Sequence, residues 1–282
     1  MNGSVRKPSF LGIGASKAGT SSLRHYLKQH PEIFIPDDDK EPGYFCRGGD
    51  DSSIFYRIRT PEAYFGMFRG VRDEKAWGEI TPHYLDSPYA AQNIRDEAPE
   101  ARLIVSLRNP VERAFSLYQM NLRNKNHNRG VPFLEAVASD PWMNRSYFEN
   151  LSRFYRRFPR EQIQLILFDE LSADPAATAR GVFAFLGVDP GFVPDVSKVV
   201  NPGGLPRFRL LHLALNNRTA RRVGRHVLPM SVHNRLERLK NANLQAQRLY
   251  PDERHKALAL FRDDILRTQD LVGRDLSGWV HA

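Results

Sequence analysis

Cysteine is almost missing from this chain: among 282 residues there is one, Cys46. That excludes an internal disulfide framework and any zinc site built from several cysteines of one chain. No apolar run approaches the roughly 20 residues needed to cross a bilayer, and Met1 to Lys7 hold no apolar signal-peptide core. The expectation is a cytoplasmic protein, or a chain trimmed of its targeting segment. Acidic residues are also in the minority, 32 against 41 Lys and Arg, which leaves a net charge of +9. Such a surface attracts anions without choosing among nucleotide, nucleic acid, acidic glycan and phospholipid surface. The length suits one large α/β unit, and there is no internal repeat, low-complexity tract or linker. A single domain over 1–282 is therefore expected, with residues 1–7 as a flexible N-terminus.

What is present begins at Pro8. Phe10, Leu11 and Ile13 read as a short buried strand, and Ser21, Leu23, Tyr26 and Leu27 begin a helical pattern. Between them lies Gly14-Ala15-Ser16-Lys17-Ala18-Gly19-Thr20-Ser21. A loop from strand to helix aims successive backbone N–H groups at one spot and sets a helix N-terminus behind them, so it suits an anion. It has both glycines and the final hydroxyl of a Walker A loop but carries Thr20 where the lysine belongs. A dinucleotide fingerprint fails too, because Lys17 stands at its third glycine. What remains is an oxyanion cradle with an internal lysine and several hydroxyls, or a tight turn with a solvated lysine.

A second signal follows the apolar run Arg102 to Leu107, which reads as a buried strand. It leads into Arg108-Asn109-Pro110, where Asn109 suits a helix N-cap, Pro110 the first helical position and Glu112 the capping box. An arginine at a strand's end with Ser116 two turns into the next helix can grip a phosphate; paired with Glu112, it is a surface ion pair. Glu41 stands on a loop broken by Pro42 and Gly43, either as a general base or as a solvated charge. Trp77 to Ile80 reads as another strand, followed by a loop with His83, a candidate second base or a surface histidine. Pro61 to Phe68, Pro132 to Ala138, Ser146 to Phe158, Thr178 to Leu186 and Asp252 to Leu271 read as helices, the last packing by Leu258, Phe261, Ile265 and Leu266. Gln164 to Phe168 is a further strand. Asp169 after it is a Walker B candidate or a capping or ion-paired residue.

From residue 201 the texture changes. Gly203 and Gly204 permit a backbone to approach a phosphate, and equally make a surface turn. Between Arg207 and Lys240 nine Lys or Arg residues face one acid, Glu237, with leucines interleaved. This basic helical stretch is a solvated face, a lid over an anionic acceptor or a membrane-surface contact, in that order. Order of elements and buried strands together give an α/β fold with a central, mostly parallel sheet flanked by helices.

Lys17-Ala18-Gly19-Thr20-Ser21-Ser22-Leu23 resembles the 5′-phosphosulfate loop of sulfotransferases that use 3′-phosphoadenylyl sulfate (PAPS), in particular the bacterial and heparan-sulfate branch. Lys40-Glu41-Pro42-Gly43-Tyr44-Phe45 is similar to the segment that carries the family's catalytic glutamate, and Leu107-Arg108-Asn109-Pro110 through Ser116 to its 3′-phosphate element. The resemblance covers roughly Pro8 to Leu186. It implies a three-layer P-loop-like fold, PAPS as donor and PAP as product, with no metal required. It further implies Glu41 as base, Lys17 as catalytic cation, and Lys17, Ala18, Gly19, Thr20, Ser21, Ser22, Arg108, Ser116, Gly203 and Gly204 around the nucleotide. Lys40, Tyr44 and His83 are candidates on the acceptor side, and Phe45 is expected in the core. Where the heparan-sulfate enzymes have a lysine this chain has Ile80, so Lys17 is expected to carry more of the charge. The expected reaction is sulfuryl transfer to a hydroxyl or amine of a carbohydrate, glycolipid or small metabolite, with no nucleic-acid partner. A nucleotide-dependent phosphotransferase and a non-enzymatic binder of an anionic polymer are the alternatives.

Overall fold

The computed structural model describes residues 6–37, 41–48, 57–124, 130–197, 204–208, 232, 236, 239, 242–245 and 247–281. Lys40, Gly203 and most of the basic stretch 207–240, on which expectations were placed, lie outside the described residues.

Five parallel strands form the central sheet: β1 (Phe10–Gly14), β2 (Ile33–Phe34), β3 (Ala76–Ile80), β4 (Arg102–Leu107) and β5 (Ile163–Leu167), in the spatial order β2-β3-β1-β4-β5. Their sequences are apolar on both sides because both faces are covered. Phe10, Ile80, Ile104 and Ile166 pack on one face against Leu23, Tyr26 and Leu27 of α1 (Thr20–Leu27) and Val182, Phe183 and Leu186 of α8 (Pro175–Leu186). Leu11, Ile13, Leu103 and Val105 alternate to the other face and are equally buried. The expected sheet flanked by helices is therefore present, and strands read from the sequence fall within a residue of those observed. The sequence left Ile33–Phe34 as a bare apolar segment; it is the edge strand, aligned with Ala76 and Trp77 of β3.

Between β1 and β4 the direction of the winding reverses, because the chain leaves β1 toward β2 and β3 and leaves β4 toward β5. In open α/β sheets the crevice at the carboxyl ends of such a strand pair receives ligands. The register Phe10↔Arg102, Leu11↔Leu103, Gly12↔Ile104 brings the loop after β1 and the residues after Leu107 to that same end.

The chain divides into two compact units. The first, residues 1–113, 145–200 and 258–282, holds the sheet. Within it, Leu258, Phe261 and Ile265 of α9 (Pro251–Val272) are buried as expected, whereas Leu266 is exposed and not packed. A helix of this length presents a narrower apolar stripe than the row of aliphatics in its sequence suggests. The second unit, residues 114–144 and 201–257, contains α4 (Pro110–Asn124) from Ala114 on, α5 (Phe133–Ser139) and a two-stranded antiparallel pair, β6 (Leu205–Pro206) with β7 (Leu244–Gln245). Phe115 and Tyr118 pack on Phe133 with ring centroids 5.3 and 5.6 Å away, and Arg123 donates to Gly204 O at 3.5 Å.

Candidate active site

The loop after β1 is shaped by two backbone positions in the left-handed region, Lys17 (φ 70°) and Gly19 (φ 86°). A side chain at Gly19 has no room: its Cβ would lie 2.6 Å from Leu171 and 3.0 Å from Phe168. Lys17 is not a glycine and holds this conformation because the loop is tied on both sides. Ala15 N donates to Ser106 O at 2.7 Å, and the buried Ser106 hydroxyl donates to Ala18 O at 2.5 Å. Both anchors come from β4, so the neighbouring strand moulds the cradle.

The cradle is narrower than the sequence suggests. Ala18 is buried and its N–H turns inward to Ala15 O at 3.2 Å, while the N–H groups of Ser22 and Leu23 both go to Gly19 O at 3.0 Å. Ala18 and Ser22 therefore spend their backbone N–H groups within the loop and the first turn. The N–H groups of Thr20 and Ser21 belong to the first turn, which has no intrahelical acceptors. No side chain caps α1, and no acidic residue sits in its first turn. That end of the helix suits a negative charge.

Thr20 and Ser21 line a shallow cleft together with Arg24, Glu41 and Ile80. Structure thus brings the hydroxyls of the loop and the expected base into one opening. Arg24 was not singled out by the sequence. Its Nη2 donates to Pro36 O at 2.6 Å, while its Nε is buried and has no hydrogen-bond partner among the described residues. Burial lowers the guanidinium pKa, and the charges of Glu79 and Glu41 act in the opposite direction.

Glu41 is supported from β3. Gly43 N, two residues on, donates to Thr81 Oγ1 at 3.3 Å, and that hydroxyl donates to Glu79 Oε2 at 2.8 Å. Glu79 also accepts from Tyr64 (3.1 Å) and Tyr84 (2.7 Å) and is almost wholly buried. Desolvation raises its pKa to about 7 against the pull of those three hydroxyls, and the Glu41 charge adds to the rise.

Arg108 follows β4. Its Nη1 reaches Lys17 O at 3.5 Å, its guanidinium lies 4.7 Å over the Phe168 ring, and Glu112 is 3.6 Å away. The pairing with Glu112 that the sequence offered as one of two readings is present, and the same guanidinium also reaches the loop after β1. Tyr147 clasps the Arg108 backbone: its hydroxyl donates to Arg108 O at 3.0 Å and accepts from Arg108 N at 3.4 Å. Asn109 caps α4 by accepting from Val111 N at 3.0 Å and Glu112 N at 3.4 Å, and it donates to Trp279 O at 3.2 Å. Ser116, further along α4, belongs to the second unit.

Three further candidates have surroundings that the sequence does not show. Tyr44, a candidate on the acceptor side, is buried: its ring stacks 4.3 Å from Tyr64, its hydroxyl donates to Glu97 at 2.7 Å, and Arg47 covers it at 4.5 Å. It is a core residue, as is Phe45. His83 sits in the short 3₁₀ turn Pro82–Tyr84 and is not among the residues lining the cleft. Burial, then the charge of Arg145, lower its pKa to about 4, so it is neutral at pH 7. Asp169 accepts from the Trp279 indole at 3.0 Å, a tie to the C-terminal turn, and its charge also acts on Arg108.

Comparison with known proteins points the same way. Residues 50–192, a little over half of the chain, match the model of a sulfotransferase family. A crystal structure of a sulfotransferase from Alicyclobacillus acidocaldarius is 32% identical, with a TM-score of 0.71, covering 97% of this chain and 99% of that one. The membrane-associated sulfotransferase kil1 of Dictyostelium discoideum is 33% identical over 125 residues, 44% of this chain and 25% of its own length. Mouse heparan sulfate glucosamine 3-O-sulfotransferase 6 is 29% identical over 197 residues, 66% of this chain and 54% of its own. The matches thus span from a quarter to about half the length of these curated relatives. The phosphate-loop sequence, the parallel sheet that presents it and these matches agree: the chain belongs to the sulfotransferase family.

Proposed function

We propose that this protein transfers a sulfuryl group from PAPS to a hydroxyl of a carbohydrate-type acceptor. The observation that carries the reading is the cleft in which Thr20 and Ser21, at the start of α1, share one opening with Glu41. In the reaction, the bond from sulfur to the 5′-phosphate oxygen breaks as one from sulfur to the acceptor oxygen forms, and the acceptor's proton passes to Glu41. Thr20 and Ser21 hold the 5′-phosphate by side chain and first-turn N–H, and Lys17 meets the charge that grows on it. Arg108, whose guanidinium approaches the loop at Lys17 O, takes the 3′-phosphate that distinguishes PAP from AMP. A carbohydrate hydroxyl as acceptor rests on the names of the heparan sulfate relatives.

A thermal-shift titration of the full chain with PAP, AMP and ATP, each with and without Mg²⁺, tests the donor. Saturating PAP should raise Tm by roughly 5 °C, independently of Mg²⁺ and well beyond AMP or ATP. A shift with Mg²⁺-ATP alone would favour a phosphotransferase, and no shift with any nucleotide would favour a binder of anionic polymers.

A further inference from the structure

The cleft contains a cationic side chain that neither the phosphate loop nor the base accounts for. Arg24 follows Thr20 by four residues and Ser21 by three, spacings that set all three on one face of α1. It is the cation among the described residues lining the cleft, and Ile80, which also lines it, is apolar. Its position is fixed from outside: the bond from Nη2 to Pro36 O pins one end of the guanidinium to the segment leading toward Glu41. An arginine offers five N–H donors, and here Nε–H is buried without a protein acceptor among the described residues. A buried donor in that state is costly unless a ligand or water meets it, and for a guanidinium the fitting ligand is an anion with several oxygens.

On the reading of the cleft as a PAPS site, the group that matches is the one in transit. Sulfur must leave a phosphate held at Thr20 and Ser21 and reach an acceptor whose proton goes to Glu41, so its three oxygens stay within the opening that Arg24 borders. We infer that Arg24 holds the sulfuryl oxygens of the bound donor, supplying from α1 a positive charge that the exit of β3, with Ile80, does not provide. The planar fork suits two oxygens at once, and anchoring at Pro36 O limits the ordering needed when the donor arrives. Arg24 thereby becomes a catalytic residue of this chain, facing Glu41 across the path of transfer, and no electrons or protons pass through it.

PAP and PAPS differ only in the sulfuryl group, so their affinities separate this role from a structural one. In calorimetric titrations of the full chain, Arg24→Gln should weaken PAPS by about tenfold to a hundredfold and leave PAP unchanged, and Arg24→Lys should recover part of the loss. Equal losses for PAP and PAPS would mean that Arg24 only supports the loop, and unchanged PAPS binding would remove it from the site; either overturns the inference. Should glutamine at 24 prevent folding, Arg24→Lys keeps the charge without the fork and is judged by the same PAPS-to-PAP ratio. Failure of the wild-type chain to bind PAP is a different result, which defeats the assignment of the donor itself.

Discussion

Strands β1 and β3 are neighbours and run in the same direction, with Phe10 beside Gly78 and Gly12 beside Ile80. Their ends handle polar groups in opposite ways. After Gly14 the chain builds an open cradle from backbone, with left-handed Lys17 and Gly19 and an uncapped helix behind it. At the end of β3 the acid Glu79 is closed in by Tyr64, Thr81 and Tyr84, every donor pointing inward. The carboxyl shifted to about pH 7 is the sealed one. A perturbed pKa often marks a site of chemistry, but here it marks the support. Through Thr81 and Gly43 that support fixes the loop on which Glu41 stands, so the closed strand end positions the residue proposed as the base.

The largest effect expected from this division is at Glu41. Glu41→Gln keeps size and hydrogen bonding but cannot accept a proton, so turnover should fall by about a thousandfold while the Kd for PAP stays unchanged. Steady-state rates beside calorimetry check it; a variant with most of its activity would move the base elsewhere.

Next in size is the sealed acid, and its signature is in stability. With a folded pKa of about 7 against the ordinary 4.5, the folded state holds this proton over a range where the unfolded chain has lost it. The contribution of Glu79 is therefore complete below pH 4.5 and falls as pH rises to about 7, by roughly 3 kcal/mol. Glu79→Gln cannot titrate and should not show that decline. Denaturant midpoints for both proteins from pH 4.5 to 7.5 give the difference, and parallel profiles would show that Glu79 is an ordinary carboxylate. If β3 is support alone, PAP affinity should remain unchanged in this variant.

How much of this was legible depends on how far apart the partners are. β1, β4 and β5 are buried on both faces, so each announces itself as an apolar run, and the loop announces itself by its spacing between strand and helix. The position of Arg108 just after a strand is legible in the same way. The surroundings of Arg24 are not legible, because an arginine inside an amphipathic helix is usually a solvated charge and its hydrogen-bond partner, Pro36 O, lies outside that helix. The partners of Glu79 lie in the turn after β3, at Thr81 and Tyr84, and on the distant Tyr64 of α2 (Pro61–Gly66). Tyr44 was misplaced for the same reason: nothing near it in sequence tells that Glu97 comes to meet its hydroxyl.

The exit of β4 extends the comparison, since it offers a side chain where β1 offers backbone. Arg108→Ala should weaken PAP by about tenfold to a hundredfold, the worth of hydrogen bonds to a charged group, and leave AMP, which lacks the 3′-phosphate, as in the wild type. Equal losses for both nucleotides would assign Arg108 to shaping the loop through Lys17 O.

The smallest effect is expected one contact further back. Tyr147 reaches Arg108 from 39 residues away and holds its backbone at both N–H and C=O. Its pKa is raised, chiefly by desolvation, so the phenol is un-ionised at neutral pH and can donate and accept at once. Tyr147→Phe removes both bonds and leaves the ring under Arg113, whose guanidinium lies 5.1 Å from its centre. The arginine keeps its charge but loses its mooring, so PAP should weaken by about fivefold, close to 1 kcal/mol, with AMP unaffected. A loss as large as that of Arg108→Ala would mean that position, more than charge, governs the 3′-phosphate grip. No loss would mean that Phe168, stacked against the guanidinium, suffices to hold it.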